Sequence, residues 1–428
     1  MRKVGKKIVL KFLSYFAKQR LTARTRIIGL TGSIGKTTAK DALAKILARH
    51  FRVQVSPASF NSEFGLPLAI LGEPSGFRNP LKWFWILLKG CLKSWRKLDC
   101  DFLILELGAE KRGDLAQLLT LIQPAIGITL AVAPVHLNPG QFRSLADVAA
   151  EKCLLAKSLP AQGWAILNAD DFQVRNFYSK AAKIFFSQRT ALSSEARRTV
   201  QKANLLRAEK ITENLTGLSA EIVWRQERVK LNLPILGCQN LTPILAAIAG
   251  GLAVGLKLEV ICRSLQDFHL PAGRGNLLAG LNGAWILDSS YNSNPVSAAA
   301  ALASLARLKI TGRKIVVLGQ MNELGKNSVK FHQELGQQAA KVADEVLGVF
   351  GEAKLLVKSA QRKPAYFFHE AERAANFLLP RVQKGDLILI KGSQNKVRLE
   401  RLVFKLLANP KRDQRFLCRQ NTNWQKLA

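Results

Sequence analysis

Acidic residues are scarce in this chain of 428: 30 Asp and Glu stand against 64 Lys and Arg, a formal net charge of +34. A surface so basic is drawn to polyanions, whether nucleotides, nucleic acid or an anionic membrane, or it reflects a generally basic proteome; composition leaves both open. Paired cysteines are missing as well. Cys91, Cys100, Cys153, Cys238, Cys262 and Cys418 include no Cys-x-x-Cys, so zinc-ribbon and thioredoxin readings have no support. Scattered single cysteines fit a reducing cytoplasm. No uncharged apolar run reaches the roughly 18 residues that a bilayer-spanning helix needs. The basic segment 1–26 has its apolar stretch broken by Lys11 and no clear small-residue cleavage site after it, so a basic helix or arm is expected there rather than a signal peptide. Internal repeats and low-complexity tracts are also absent.

What the chain does contain is 48% hydrophobic residues, enough for two or three domains rather than one core. Short apolar runs alternate with helical patterns. Strands are predicted at 27–30, 102–105, 125–129 and 164–167, and again at 285–287, 315–318, 346–350 and 387–390. Continuous apolar strands between amphipathic helices indicate mostly parallel sheets covered on both faces, an α/β fold. The glycine-rich stretch 271–280, with Gly273, Gly275 and Gly280, is the expected hinge. The predicted division is a basic arm at 1–26, a central domain at 27–270 and a C-terminal Rossmann-like domain at 271–428. The polar tail after Pro410 is expected to be loosely ordered.

The strand at 27–30 runs into Thr31-Gly32-Ser33-Ile34-Gly35-Lys36-Thr37-Thr38 and then a helix to about residue 48. Glycines let backbone N–H groups turn toward phosphate oxygens, and the helix N-terminus adds a positive dipole end. Lys36 can reach terminal phosphates and the Thr37 hydroxyl can ligate Mg²⁺. The general pattern Gly-x4-Gly-Lys-Thr is incomplete, because Leu30 stands at its first glycine; a chance glycine turn is the weaker reading. Glu106 ends the apolar run 102–105 and so belongs at the carboxyl edge of a sheet, where ligands bind in open α/β folds. It suits a Mg²⁺ ligand. Taken alone, it suits a salt-bridged strand-end acid better.

Together these residues resemble the Mur ligase family, whose phosphate loop also lacks the first glycine. Asn61-Ser62-Glu63-Phe64-Gly65-Leu66-Pro67 resembles the Asn-x-Glu-x-Gly-x-Pro segment of the branch that adds D-alanyl-D-alanine. Glu106-Leu107-Gly108-Ala109, His136 with Gly140 and Ser144, Glu151-Lys152, Asn168-Ala169-Asp170-Asp171, Tyr291-Asn292-Ser293-Asn294-Pro295, the segment from Leu318 to Gly325, and Lys391-Gly392-Ser393 come in the family's order. The resemblance runs from about residue 26 to residue 400. It implies a central ATPase domain with a C-terminal Rossmann-like domain, and an ADP-forming amide ligase. Such a ligase activates a carboxylate as an acyl phosphate for attack by an amine. For this branch the carboxylate is a UDP-N-acetylmuramoyl tripeptide and the amine is D-alanyl-D-alanine. The alternatives are a ligase of the same superfamily acting on a lipid-linked or poly-amino-acid carboxylate, or a weakened membrane-associated scaffold of wall synthesis.

The roles that the resemblance implies are specific. Gly32, Ser33, Gly35, Lys36, Thr37 and Thr38 hold ATP phosphates. Thr37 and Glu106 hold one Mg²⁺, and His136 and a carbamylated Lys152 help hold a second. Lys36, Glu106, His136 and Lys152 form the catalytic set. Asn240 contacts adenine or, read from its position, caps a helix. Arg274, Asp288, Tyr291, Asn292 and Asn294 serve the nucleotide from the C-terminal domain. Asn61, Glu63, Asn322 and Glu323 serve the substrates. No specific nucleic acid is expected, and the place of work is the cytoplasm.

The sequence departs from the family in four ways. The N-terminal UDP-binding domain is not expected in this chain, Gln239 replaces a His, Ser289 an Asp, and Gln320 an Asp. The segment 80–98 is insertion-like. On a helix, Lys82, Lys89, Lys93, Arg96 and Lys97 fall within an arc of roughly 100°, with most bulky apolar residues elsewhere. That is the pattern of a helix lying on an anionic membrane at its inner face. A core-packed helix with a solvated basic face fits the same pattern.

Overall fold

The structure, a computed structural model, describes residues 3–22, 24–57, 60–77, 79–134, 140–189, 192–200, 204–322, 324–393 and 396–420. The chain forms two compact units. The first holds 1–210, 220–231 and 240–266, and the second 211–219, 232–239 and 267–428.

β1 (Arg26–Thr31), β2 (Val53–Val55), β3 (Phe102–Glu106), β4 (Ile126–Thr129), β5 (Trp164–Asn168) and β6 (Ala182–Ser187) lie in the first unit, where neighbours pair in parallel, and β6 pairs in parallel with β7 (Asn204–Asn214). With β8 (Gly217–Trp224) and β9 (Glu227–Leu233) they make a nine-stranded sheet in the order β2-β3-β1-β4-β5-β6-β7-β8-β9. β1 sits inside the sheet, so Ile28 and Leu30 are enclosed and every residue of β3 is buried. That is why these strands read as unbroken apolar runs. Two-residue turns link β7, β8 and β9, a length that only antiparallel neighbours allow. Their alternating polar and apolar residues were not predicted as strands.

Six helices bear on function: α1 (Lys3–Arg20), α2 (Lys36–Leu47), α3 (Gly65–Leu71), α4 (Pro80–Ser94), α5 (Asp114–Leu121) and α6 (Leu145–Ser158). α1 forms as expected and packs on α3 and α4 through Leu13 and Ala17. α4 begins at an Asn79 cap whose side chain accepts from the Lys82 N–H at 3.1 Å, with Pro80 at the first turn.

In the second unit, β10 (Asn276–Ala279), β11 (Trp285–Ser289), β12 (Lys314–Gly319), β13 (Glu345–Val349), β14 (Ala365–Phe368) and β15 (Leu387–Lys391) are ordered β10-β11-β15-β12-β13-β14. All pairs are parallel except the edge strand β10 with β11. Separate apolar clusters cover the two faces. One expectation fails here. The chain after Pro410 is not loose up to residue 420, because Leu417 and Cys418 are buried and Arg419 pairs with Glu400 at 2.9 Å. Its few apolar residues were enough to anchor it, although its composition is polar.

Candidate active site

β1 delivers the glycine loop at its carboxyl end, and α2 starts from it. Gly32 and Gly35 adopt φ of 145° and 85°, backbone angles that favour glycine. A Cβ on Gly32 would stand 2.9 Å from the Leu130 Cβ, so the loop closes against β4 only with glycine there. Ser33 N–H donates to the Ala131 carbonyl at 2.7 Å, and its hydroxyl accepts from the Ala133 N–H at 3.0 Å. Lys36 folds back to donate to the Gly32 carbonyl at 2.8 Å.

One strand over, Glu106 ends β3 with its carboxylate beside the loop. Oε2 accepts from the Thr37 hydroxyl at 3.0 Å and Oε1 from the Asn61 amide at 3.3 Å. The Asn61 carbonyl in turn accepts from the Gly108 N–H at 2.8 Å. Glu106 is therefore held by two neutral donors, and the reading that pairs it with a surface lysine finds no support in this geometry. Ser56 and Lys40, which the sequence did not single out, lie beneath it. The Ser56 hydroxyl accepts from the Glu106 N–H at 3.1 Å, and the buried Lys40 donates to the Ser56 carbonyl at 2.6 Å.

A cavity of about 270 Å³ opens here. Gly32, Ser33, Lys36, Asn61, Glu63 and Lys152 line it, so six residues from three separate motifs meet in one place. Ser62, Gly108, Ala109 and Leu118 also line it, as do Glu110, Lys111, Asp114 and Gln117, which were missed; the one signal of these last four was that they come soon after the Glu106 strand end. Gln117 donates to Glu63 at 3.3 Å. Lys152 comes from α6 and is 1% exposed. Burial, with repulsion from Lys36, lowers its amine from 10.5 to about 7, while Glu151 opposes the shift. Glu151 itself turns away, accepting from the Gly113 and Leu115 N–H groups at 3.0 and 2.7 Å. Thr38 is buried in the first turn of α2. Asn240 stands at the cap position of the helix Leu241–Ala253 but makes no side-chain cap bond, and it is not part of the cavity wall. His136 lies outside the described residues.

In the second unit, the carboxyl ends of β11, β15 and β12 lie side by side. Asp288 is fully enclosed. Burial raises its carboxyl from 3.8 to about 6 against the pull of its hydrogen bonds to Ser290, and its Oδ2 has no partner. So placed, its Oδ1 accepts from the Ser290 N–H at 3.0 Å and holds the turn. Asn294 likewise serves as the cap of the helix Pro295–Arg307, bonded reciprocally with Ser297 at 2.8 and 3.1 Å. Lys391, buried, donates to the Asn292 carbonyl at 3.0 Å and reaches the Ser289 hydroxyl at 3.4 Å. Its amine is lowered from 10.5 to about 7 by burial and by Arg274, and Asp288 opposes this. The Arg274 guanidinium stacks 4.3 Å over Tyr291. Gln320 bridges the Asn322 amide oxygen at 3.3 Å and the Glu352 N–H at 3.2 Å. Asn322 N–H donates to Ser393 at 2.9 Å, whereas Glu323 lies outside the described residues.

A glycine turn between strand and helix, a lysine and threonine at the helix start, and an acid on the adjacent strand define a nucleotide-phosphate site in an α/β fold. Family models agree with that class. The Mur ligase middle domain matches residues 30–251, and the Mur ligase, glutamate ligase domain, matches residues 273–394. The chain belongs to the Mur ligase family, and it is an ATP-dependent ligase. It is similar to the UDP-N-acetylmuramoyl-tripeptide–D-alanyl-D-alanine ligases of Bacillus subtilis, at 28% identity over 90% of this chain and 77% of the relative, and of Escherichia coli, at 29% over 93% and 80%. Among solved structures it resembles the MurF ligase of Thermotoga maritima in complex with ADP, with a TM-score of 0.73 and 25% identity over 92% of this chain and 82% of that one.

Proposed function

We propose that the protein joins D-alanyl-D-alanine to a UDP-N-acetylmuramoyl tripeptide, using ATP to activate the tripeptide carboxylate as an acyl phosphate. The observation that carries this reading is the meeting of Lys36, Asn61 and Lys152 around one cavity, with Glu106 held just behind it by Asn61, in a chain alignable over about nine-tenths of its length with ligases of that name.

Two anions, a carboxylate and a terminal phosphate, must approach, so fixed cations have to neutralise both. Lys36 begins this with its ammonium in the glycine loop. The Thr37 hydroxyl and Glu106 carboxylate, 3.0 Å apart, fit one Mg²⁺, a hard cation that takes oxygen ligands and completes its shell from phosphate and water. When bound, the metal supplies charge neutralisation at the transferred phosphate. A second ion is assigned to His136 and Lys152. An ammonium cannot ligate metal, but burial and Lys36 lower this amine to about 7 and so favour its neutral form, which can add to CO₂ and release a proton to give an anionic carbamate. Lys36, which disfavours a positive charge on Lys152, favours a negative one. Asn61 and Glu63 belong to the substrate side of the same cavity, and Asn322 to the second unit's part in substrate handling.

Among the described residues, no helix is long and apolar enough to cross a membrane. The reading places the protein in the cytoplasm, peripherally at the inner membrane face. The test is phosphate release by the purified protein with ATP and Mg²⁺ over a panel of UDP-muramyl peptides and amines, with products weighed by mass spectrometry. Turnover with the tripeptide and D-alanyl-D-alanine above all other pairs is expected. Turnover confined to another pair overturns the substrate assignment, and no turnover with any pair overturns the ligase reading of the site.

A further inference from the structure

Neither α1 nor α4 contains an acidic residue. Both are amphipathic in an unusual way, with three faces rather than two. On α4, Trp83, Ile86 and Gly90 turn inward, and Gly90 is what lets Phe16 of α1 approach: a Cβ there would already touch its ring at 3.4 Å. A second, outward arc of roughly 100° carries Leu81, Phe84, Trp85, Leu88, Leu92 and Trp95. These are between 41% and 85% exposed. Beside that arc, Arg96, Lys89 and Lys82 form a stripe roughly 40° wide. Lys93, at the stripe's inner margin, pairs with the buried Glu73 at 2.6 Å.

α1 repeats the arrangement. Ile8, Phe12 and Tyr15 are exposed on one arc, with Lys7, Lys11 and Lys18 next to it. The two helices are fastened at their ends. Lys97 donates to the Gln19 carbonyl at 2.6 Å, Arg20 to the Arg96 carbonyl at 3.2 Å, and the Leu98 N–H to the Arg20 carbonyl at 2.9 Å. Ten of the seventeen large apolar side chains exposed among the described residues lie on or beside this pair. Exposed apolar side chains scattered singly need no explanation, but such a concentration marks an interaction surface.

From this we infer that α1 and α4 together form a platform that seats the protein on an anionic lipid bilayer. Charge selects this occupant. Six lysines and arginines border the apolar arcs with no acid in either helix, so the surface repels a second copy of itself and complements a sheet of anionic headgroups. Exposed Trp85 and Trp95 suit the headgroup zone, where a ring is half buried and half hydrated. Burial of the apolar arcs holds the platform at the surface, and the cations bring it there, so attachment is reversible and weakened by salt. The inference stands apart from the ligase reading, because it uses no residue of the cavity around Lys36 and Glu106.

Co-sedimentation of the full chain with vesicles of equal phosphatidylglycerol and phosphatidylcholine, against pure phosphatidylcholine, tests it. Wild type should partition to the anionic vesicles about tenfold or more better than to neutral ones. Phe84→Ser/Trp85→Ser/Leu88→Ser, which leaves the charge unchanged, and Lys82→Gln/Lys89→Gln/Arg96→Gln should each lose about tenfold. Lys354→Gln/Lys358→Gln/Lys384→Gln, with the same charge change in the second unit, should lose nothing. Because the serine variant can misfold, tryptophan quenching by brominated lipid provides a gentler check. Wild type should be quenched, and Trp85→Phe/Trp95→Phe should not be. Equal losses in both charge variants with none in the serine variant would mean attraction by net charge alone and overturn the platform. So would unchanged quenching without Trp85 and Trp95, absence of vesicle binding, or a lipid-free dimer abolished by the serine variant.

Discussion

The two units each gather polar groups at the carboxyl ends of central parallel strands, yet they leave those groups in different states. In the first, Glu106 keeps both carboxylate oxygens engaged with neutral donors, Thr37 and Asn61, that can yield to a cation. In the second, the acids expected at strand ends are replaced. Ser289 and Gln320 offer a hydroxyl and an amide, and the remaining acid, Asp288, is sealed in with its carboxyl raised to about 6. Lys391 beside it is lowered to about 7. One cluster presents a carboxylate held only by neutral donors, and the other encloses an acid and an amine among loop hydrogen bonds. The same sheet geometry supports both; the side chains at three or four positions decide which.

That contrast breaks most sharply at Lys36. Lys36→Ala should lower ATP turnover roughly a hundred- to a thousandfold while circular dichroism and melting temperature stay as in wild type. A folded variant with near-normal turnover would mean that the first unit is not the charge-holding one. Next comes Lys152→Ala, with a loss of about a hundredfold that short carboxylic acids partly restore by filling the vacated space. Full activity of this variant in bicarbonate-free buffer would remove the carbamate from the mechanism. Glu106→Gln is smaller still, because an amide keeps the shape and loses the charge. The Mg²⁺ concentration for half-maximal turnover should rise about tenfold or more, and an unchanged Mg²⁺ curve would take the metal away from this acid.

For the second unit the readout is stability. Lys391 binds its proton at about 7 when folded and near its ordinary 10.5 when unfolded. Between those values the unfolded chain holds more protons, so stability rises with pH across that window. Lys391→Met should flatten the rise by a few degrees of melting temperature between pH 7 and 10, the smallest of these effects. Asp288 acts with the opposite slope lower down. It is protonated up to about 6 when folded but only to 3.8 when unfolded, so stability falls as pH climbs from 4 to 6, and Asp288→Asn should remove that fall.

Much of this was legible in the sequence where physics leaves a one-sided pattern. β1, β3, β4 and β5 are buried on both faces and read as unbroken apolar runs. The glycine loop announces itself because few other functions need Gly32, Gly35 and Lys36 so spaced. β7, β8 and β9 escaped because strands with one wet face carry Lys210, Glu221 and Arg228 among their apolar residues, which looks like loop. Lys152 gave no sign of being enclosed, since a lysine after a glutamate on a helix is usually solvated. The α4 pattern showed a basic stripe but could not say that its bulky residues divide between an inner and an outer face. That division depends on α1, a partner some sixty residues away in sequence.

Asn61 ties two events to one side chain. It lines the cavity, and its amide also grips the oxygen of Glu106 that Thr37 leaves free. A peptide that draws the Asn61 amide toward itself changes how tightly the acid can hold a cation. Thermodynamic reciprocity then requires the cation to change peptide affinity by the same factor. With both sites filled as proposed, each ligand's affinity reports the other's presence through one asparagine.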